Sequence, residues 1–291
     1  MGEALTDILY TPDERDRMAR LVFSLILCSL IGSFFANTLV HQLHQPVVKY
    51  PYADPTYWAM HFLQIPETIA GNEVVAWLFD IALVGSCALA LRYPRRRWLI
   101  AAFVILLFIY FITYNTFGTH HTGNKMGILF IAIPFIAADI RSFNFLWQGL
   151  RYFILFGYSC AATWKLVRLS WLHANQGILI LQKNIAGYLY FNPNTWLADM
   201  YHRVLQYPAL LQCLYITGII LEAVFVIGFF TKKADRFLFV TSIVLVIGFW
   251  FMADAYFFEL LILSMPLLNY KQLLLLQRRK AAGKKGSPTP A

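Results

Sequence analysis

Long apolar runs recur along this chain from Leu21 onward. A hydrocarbon core about 30 Å thick is crossed by a helix of about 20 apolar residues. Inside lipid a spanning segment has no water to satisfy its backbone, so the runs dictate either helices or a closed barrel. A barrel is excluded because its strands would alternate apolar and polar residues, and these runs do not. Only 13% of the residues are charged, against about 25% in soluble domains. The expected fold class is therefore all-α, a polytopic integral membrane helical bundle.

Eight spans are expected, near 21–40, 74–91, 98–117, 126–138, 150–166, 209–230, 237–252 and 255–270. The fourth is short and contains Pro134. The last two are split at Ala253-Asp254-Ala255. Fused into one helix they would reach roughly 50 Å, far beyond the core. Positive charge selects an even count. With the N-terminus inside, the cytoplasmic segments hold Arg92, Arg95, Arg96, Arg97, Lys232, Lys233, Arg236 and the basic tail, and the outer segments hold fewer cations. Cytoplasmic loops carry such an excess, so both termini are expected to be cytoplasmic.

Residues 1–20 read as a polar cytoplasmic segment with no cleavable leader, 21–276 as the transmembrane domain, and 277–291 as a basic disordered tail. Two long outer segments, 41–73 and 167–208, mix aromatic and polar residues and suit interfacial helices or re-entrant turns. The net charge of +9 fits loops facing anionic lipid, and no nucleic-acid partner is expected. The four cysteines, Cys28, Cys87, Cys160 and Cys213, all lie in apolar runs and read as small core residues.

Ionisable residues in such a chain mark sites by default, because a charge at membrane depth costs roughly 3 kcal/mol or more. Lys165 ends the run Phe153-Ile-Leu-Phe-Gly-Tyr-Ser-Cys-Ala-Ala-Thr-Trp-Lys. Counting about 1.5 Å per residue from Leu150 places it in the outer third of the core. His120 and His121 follow the third span, Asp80 lies two turns into the second, and Asp254 and Glu259 flank the last outer turn. Five segments thus bring ionisable groups to one outer layer. An amine in a dry pocket can serve as a base, and a histidine can orient a substrate or relay a proton. The alternative is plain: Lys165 snorkels to headgroups, and the acids cap or pair. Glu222 lies mid-span, too deep to snorkel, and should be protonated or hydrogen-bonded inside the bundle. No metal is expected, since the histidines lack paired helical spacing.

The segment Gly149-Leu-Arg-Tyr-Phe-Ile-Leu-Phe-Gly-Tyr158-Ser-Cys-Ala-Ala-Thr-Trp164-Lys165-Leu166, followed by Trp171 and Gly177, resembles the horizontally transferred transmembrane (HTTM) domain. This is the membrane domain of vitamin K-dependent gamma-carboxylases and their bacterial relatives. Tyr158, Lys165 and Leu166 fit the family pattern, and the residues between fit it loosely. His120-His121 before the span ending in Pro134 looks like the family's histidine loop. The Glu222 helix with its basic loop to Arg236 is similar to the family's glutamate-bearing helix. The resemblance covers roughly residues 15–275 and implies Lys165 as the base that deprotonates a hydroquinone, with His121 or His120 in support. The carboxylases add a large lumenal region for a protein substrate. The modest outer loops here imply a quinone-type ligand more than glutamate carboxylation.

The leading expectation is a carboxylase- or epoxidase-like enzyme of a bacterial cytoplasmic membrane, acting on a quinone-type substrate. Catalysis would rest on Lys165, His121 and His120, with Asn115, Tyr158, Trp164, Trp171, Asp80, Glu222, Asp254 and Glu259 as the binding set. The alternatives are a non-catalytic membrane partner or assembly protein, its polar layer serving as packing glue, and a small-solute transporter. The last lacks any evident repeat symmetry.

Overall fold

The computed structural model describes residues 10–43, 62–117, 125–253 and 257–268. These residues form helices and connecting turns, with no strand among them. Each of the eight expected apolar stretches is mostly helical over its described residues. Five helical stretches are long and apolar enough to cross a membrane: Pro12–Gln42, Glu73–Arg92, Arg97–Asn115, Pro208–Phe230 and Asp235–Met252. That is the mark of an integral membrane helical bundle.

The first helix, α1 (Pro12–Phe35), begins nine residues before the apolar run does. Hydropathy marks the greasy centre of a helix, whereas its start is set by a cap. Thr11 accepts from the Glu14 N–H, Glu14 reciprocates at the Thr11 N–H, and Pro12 opens the first turn. Residues 12–20 of the expected N-terminal segment are therefore the first turns of this helix. Its buried stripe, Met18, Val22, Phe23, Ile26, Leu30 and Ser33, follows helical spacing. After α1, Asn37 adopts a left-handed φ of 55°, and the chain folds back across the helix end. A short helix α2 (Ile65–Gly71) leads into α3 (Glu73–Arg92).

Helix α3 buries Ala76, Asp80, Leu83, Cys87 and Ala90. Small residues at this spacing let helices approach closely where lipid provides no hydrophobic drive. Helix α4 (Arg97–Phe117) buries Ile100, Phe103, Leu107, Tyr110 and Tyr114 along one stripe. Their opposite faces carry exposed Ile81 and Ile105, as lipid-facing surfaces require.

Two short helices, α5 (Met126–Ala132) and one near the end of the chain, are packed together inside this frame. Helix α5 continues through a 3-10 turn, Ile133–Ile136, where Pro134 forbids regular pairing. Next comes α6 (Ile140–Val167), 28 residues or about 42 Å long. It is long enough to span but carries Arg141, Arg151 and Lys165. The sequence places its start near Leu150. The helix begins ten residues earlier because Asp139 caps it, accepting from the Ser142 N–H and hydroxyl.

Helices α7 (Gln176–Phe191) and α8 (Trp196–Val204) form a second, smaller cluster with α9 (Pro208–Ala223). Leu181, Ile185, Tyr201 and Leu211 are its buried centre. Gly177 sits so close to the Leu211 carbonyl that an added Cβ would lie 2.3 Å from it, which only glycine tolerates. The stretch 167–208, expected to hold interfacial helices, is thus a helical cap. Helix α10 (Ile227–Phe230) completes the descent of α9, α11 (Asp235–Ala253) returns, and α12 (Phe258–Leu263) is the short partner of α5.

Side-chain bonds define the two ends of the bundle. At the proximal end, where α1 starts, Asn144 exchanges bonds with the Tyr10 backbone and Arg15 donates to the Phe135 carbonyl at 2.9 Å. Arg151 is 2% exposed and grips Asp235 through Nε at 2.8 Å and Nη2 at 2.7 Å. It also donates to the Gly228 carbonyl at 2.8 Å. Arg151 is thus a buried bolt between α6 and the turn into α11.

Arg151→Met leaves the Asp235 carboxylate buried without a cation, and such breaks cost about 3–5 kcal/mol. Thermal unfolding in detergent should show that loss, and Arg151→Met/Asp235→Leu should regain most of it. The Ser142 bonds, backbone N–H first and hydroxyl second, hold the Asp139 carboxyl below its ordinary value. A depressed carboxyl stabilises the fold above its unfolded pKa and loses that contribution as pH falls through the lower folded value. The melting temperature of the wild type, compared with Asp139→Asn, should therefore drop below about pH 4, where the unfolded aspartate titrates.

Candidate functional site

A helical side chain leans toward the N-terminus of its own helix. Helix α6 runs from the proximal to the distal end, so Lys165, near its last turn, leans back into the bundle. Helix α9 runs the other way, so Glu222, in its last turn, leans toward the distal end. The two side chains meet, with Lys165 Nζ 2.5 Å from Glu222 Oε1. Glu222 is 1% exposed, and the Lys165 side chain 29%. The ammonium also stands 5.8 Å from the centre of the Phe249 ring on α11, within cation–π range.

Helix ends alone misplace this pair. Counted from the start of α9, Glu222 is about 20 Å deep, while Lys165 is two residues from the end of α6. The missing fact is stagger. Ser170 lies 2.6 Å from the Tyr215 hydroxyl, and Gln212 Nε2 donates to the Trp171 carbonyl at 3.2 Å. The first turns of α9 therefore stand beyond the end of α6. Lys165 points inward rather than snorkelling outward, and its acid sits where the expectation of a hydrogen-bonded Glu222 placed it.

On the inner side of Glu222 lies an apolar cavity of about 230 Å³. Phe153, Tyr158, Ala161, Glu222, Phe249 and Leu260 are among its walls. Tyr158 stacks on Phe225 with centroids 4.2 Å apart. Its hydroxyl is buried without a hydrogen-bond partner, and so is Glu222 Oε2. Buried polar atoms are nearly always satisfied. Tyr158 and Glu222 thus bring an unpartnered phenol hydroxyl and an unpartnered carboxylate oxygen to the lining of an otherwise apolar cavity. Lys165 is not in the wall. It stands behind Glu222 and holds the carboxylate by its other oxygen.

The remaining expected site residues separate. Asp80 lies elsewhere: it accepts from His41 Nδ1 at 2.7 Å and from the backbone N–H groups of Val40 and His41. The His41 ring stacks on Trp77 at 3.7 Å. This knot ties the turn after α1 to α3. Glu259 pairs with Lys125, Nζ to Oε1 at 2.8 Å, and Lys125 also donates to Ser33. Asn115 returns its amide to the Phe111 carbonyl within α4. Trp164 is exposed beneath Arg168, 4.1 Å from guanidinium to ring centre. Trp171 is exposed. His120, His121 and Asp254 lie outside the described residues.

Three partners escaped the sequence reading: His41, Lys125 and Asp235. Each sits at the edge of an apolar run, where a charge reads as surface. A cation directly abutting a short span, as Lys125 abuts α5, was the available signal. Among the described residues no group of three His, Cys, Asp or Glu converges to hold a metal. Comparison with family models, curated proteins and solved structures finds no match for the chain.

Lys165→Met strands the Glu222 carboxylate and should lower stability by about 3–5 kcal/mol. Lys165→Met/Glu222→Met should recover most of it, a coupling that a double-mutant cycle of melting temperatures measures directly.

Proposed function

We propose that the chain is a gamma-carboxylase-like (HTTM-type) integral membrane enzyme that binds a quinone-type hydrophobic substrate, with the Lys165–Glu222 pair as its general base. In this reading all eight apolar helical stretches are spans, both termini are cytoplasmic, and the membrane is a bacterial cytoplasmic membrane. The single supporting observation is the cavity that carries Tyr158 Oη and Glu222 Oε2 unpartnered, with the lysine bonded behind the acid.

The chemistry follows from those atoms. A substrate ring enters the cavity against Phe249 and Tyr158, and its tail remains among the helices. At about 230 Å³ the cavity suits a head group rather than a whole ligand. A hydroquinone hydroxyl donates to Glu222 Oε2, and Tyr158 holds the ring's other oxygen. Transfer of that proton leaves a carboxylic acid and an aryl oxide, whose charge the Lys165 ammonium balances. The lysine thus serves as counter-charge and tether, and the carboxylate accepts the proton. Water-poor surroundings strengthen each of these interactions.

Lipid extraction of the purified protein, read by mass spectrometry, should recover a co-purifying quinone. Glu222→Gln should weaken binding of added menaquinol, the hydroquinone form, about tenfold or more, since a lost buried hydrogen bond to a charged group is worth about 1.5–3 kcal/mol, and Tyr158→Phe, which loses a neutral bond worth about 1 kcal/mol, should weaken it about fivefold. A folded Lys165→Ala variant with undiminished binding and turnover would remove the mechanism.

A further inference from the structure

A second lysine–glutamate pair, unused above, stands beside a larger cavity. Lys125 and Glu259 are each 4% exposed and joined at 2.8 Å. Ser33 accepts from Lys125 at 2.8 Å, and Ser29 donates toward Glu259 Oε1 at 3.5 Å. Glu259 Oε2 is buried with no partner. The cavity, about 910 Å³, reaches from this polar end along Leu25, Phe239, Leu261, Met265 and Leu268. Exposed Leu25 and Phe258 line it, so it opens to the surroundings of the bundle. From Ser33 to Leu25 is eight residues of α1, or about 12 Å of wall that runs from the serines to leucine.

We propose that this cavity is a binding site for an uncharged long-chain lipid alcohol, distinct from the Lys165 site. Three features specify the ligand. The unpartnered atom at the polar end is a buried carboxylate oxygen, so a head group that reaches it must donate a hydrogen bond. The Lys125–Glu259 pair is neutral overall and buried, so a further full charge would go unbalanced at high cost. Away from the ion pair, Ser29, Ser33 and Thr38 the wall is apolar and opens to the outside at Leu25 and Phe258, which asks for a hydrocarbon chain. Its volume lies in the range of about 300–1,000 Å³ usual for small-molecule sites. Prenols and diacylglycerols share this chemistry.

The site is separable from the first. Helix α12 stands between the cavities: Glu259 and Ile262 face the larger one, Leu260 and Leu263 the smaller.

The test is photolabelling of the full-length protein in nanodiscs with a diazirine-bearing hexadecanol, mapped by peptide mass spectrometry. The expected result is saturable labelling of peptides containing Leu25 and Met265. Unlabelled hexadecanol, a prenol or diacylglycerol should compete, and their relative potencies distinguish the sources. Hexadecanoate and phosphatidylglycerol, being anionic, should compete at least tenfold less well. Leu25→Trp, which fills the apolar wall without touching the ion pair, should abolish site labelling, and Glu259→Gln should reduce it about tenfold. Labelling spread evenly over all lipid-facing helices, labelling unchanged in Leu25→Trp, or equal competition by hexadecanoate would each overturn the site. Quinone binding at the smaller cavity should persist in Leu25→Trp.

Discussion

The organisation of this bundle depends on one constraint: a charge taken out of water must find its opposite. Lipid tails are as apolar as leucine, so hydrophobic contact alone does not select which helices adjoin. Pairing does. Arg151 on α6 takes Asp235 at the start of α11, and Lys165 on the same helix takes Glu222 on α9. Lys125 takes Glu259 on α12 and reaches Ser33 on α1. His41 takes Asp80 on α3. Each bond joins segments far apart in the chain, and each is strong because solvent is scarce around it. Together they determine the register of helices that greasy surfaces would leave free to slide.

The pairs are not equivalent. The Arg151–Asp235 pair is bidentate and backed by a backbone carbonyl, the form expected of a structural bolt. His41–Asp80 saturates its acid with two backbone donors besides the ring. The two lysine pairs differ from both. Each leaves the second carboxylate oxygen buried without a partner, and each glutamate lines a cavity. Leaving an acceptor bare in an apolar interior works against folding. Such atoms concentrate where a ligand supplies the missing donor, which is why both functional proposals rest on them.

How much of this was visible beforehand varies with the residue. The eight helical stretches were legible because apolar length is a local property. Asp80, Glu222, Glu259 and Lys165 were legible as residues needing an explanation, since hydropathy makes a buried charge conspicuous. Their grouping was not. Depth counting put Asp80 and Glu259 in the Lys165 layer, yet they belong to two other knots. It put Glu222 apart from Lys165, yet they touch. Trp171 followed the family-like segment and Trp164 fitted it loosely, and both are exposed. Helix starts at Pro12 and Ile140 were obscured because caps, rather than apolar runs, decide them.

Sequence by itself settled the class of fold, the approximate positions of the apolar helices along the chain, and the identity of some buried charges, Asp80, Glu222 and Glu259 among them. Those follow from the solvent: lipid demands helices, and a charge among apolar neighbours is costly wherever it lies. Tertiary structure decided which charge meets which. That choice turns on the stagger between helix ends and on side chains leaning toward their own N-termini, so that a lysine on an ascending helix and a glutamate on a descending one converge. Neither quantity is written in a single segment, and both appear only when the helices are set side by side.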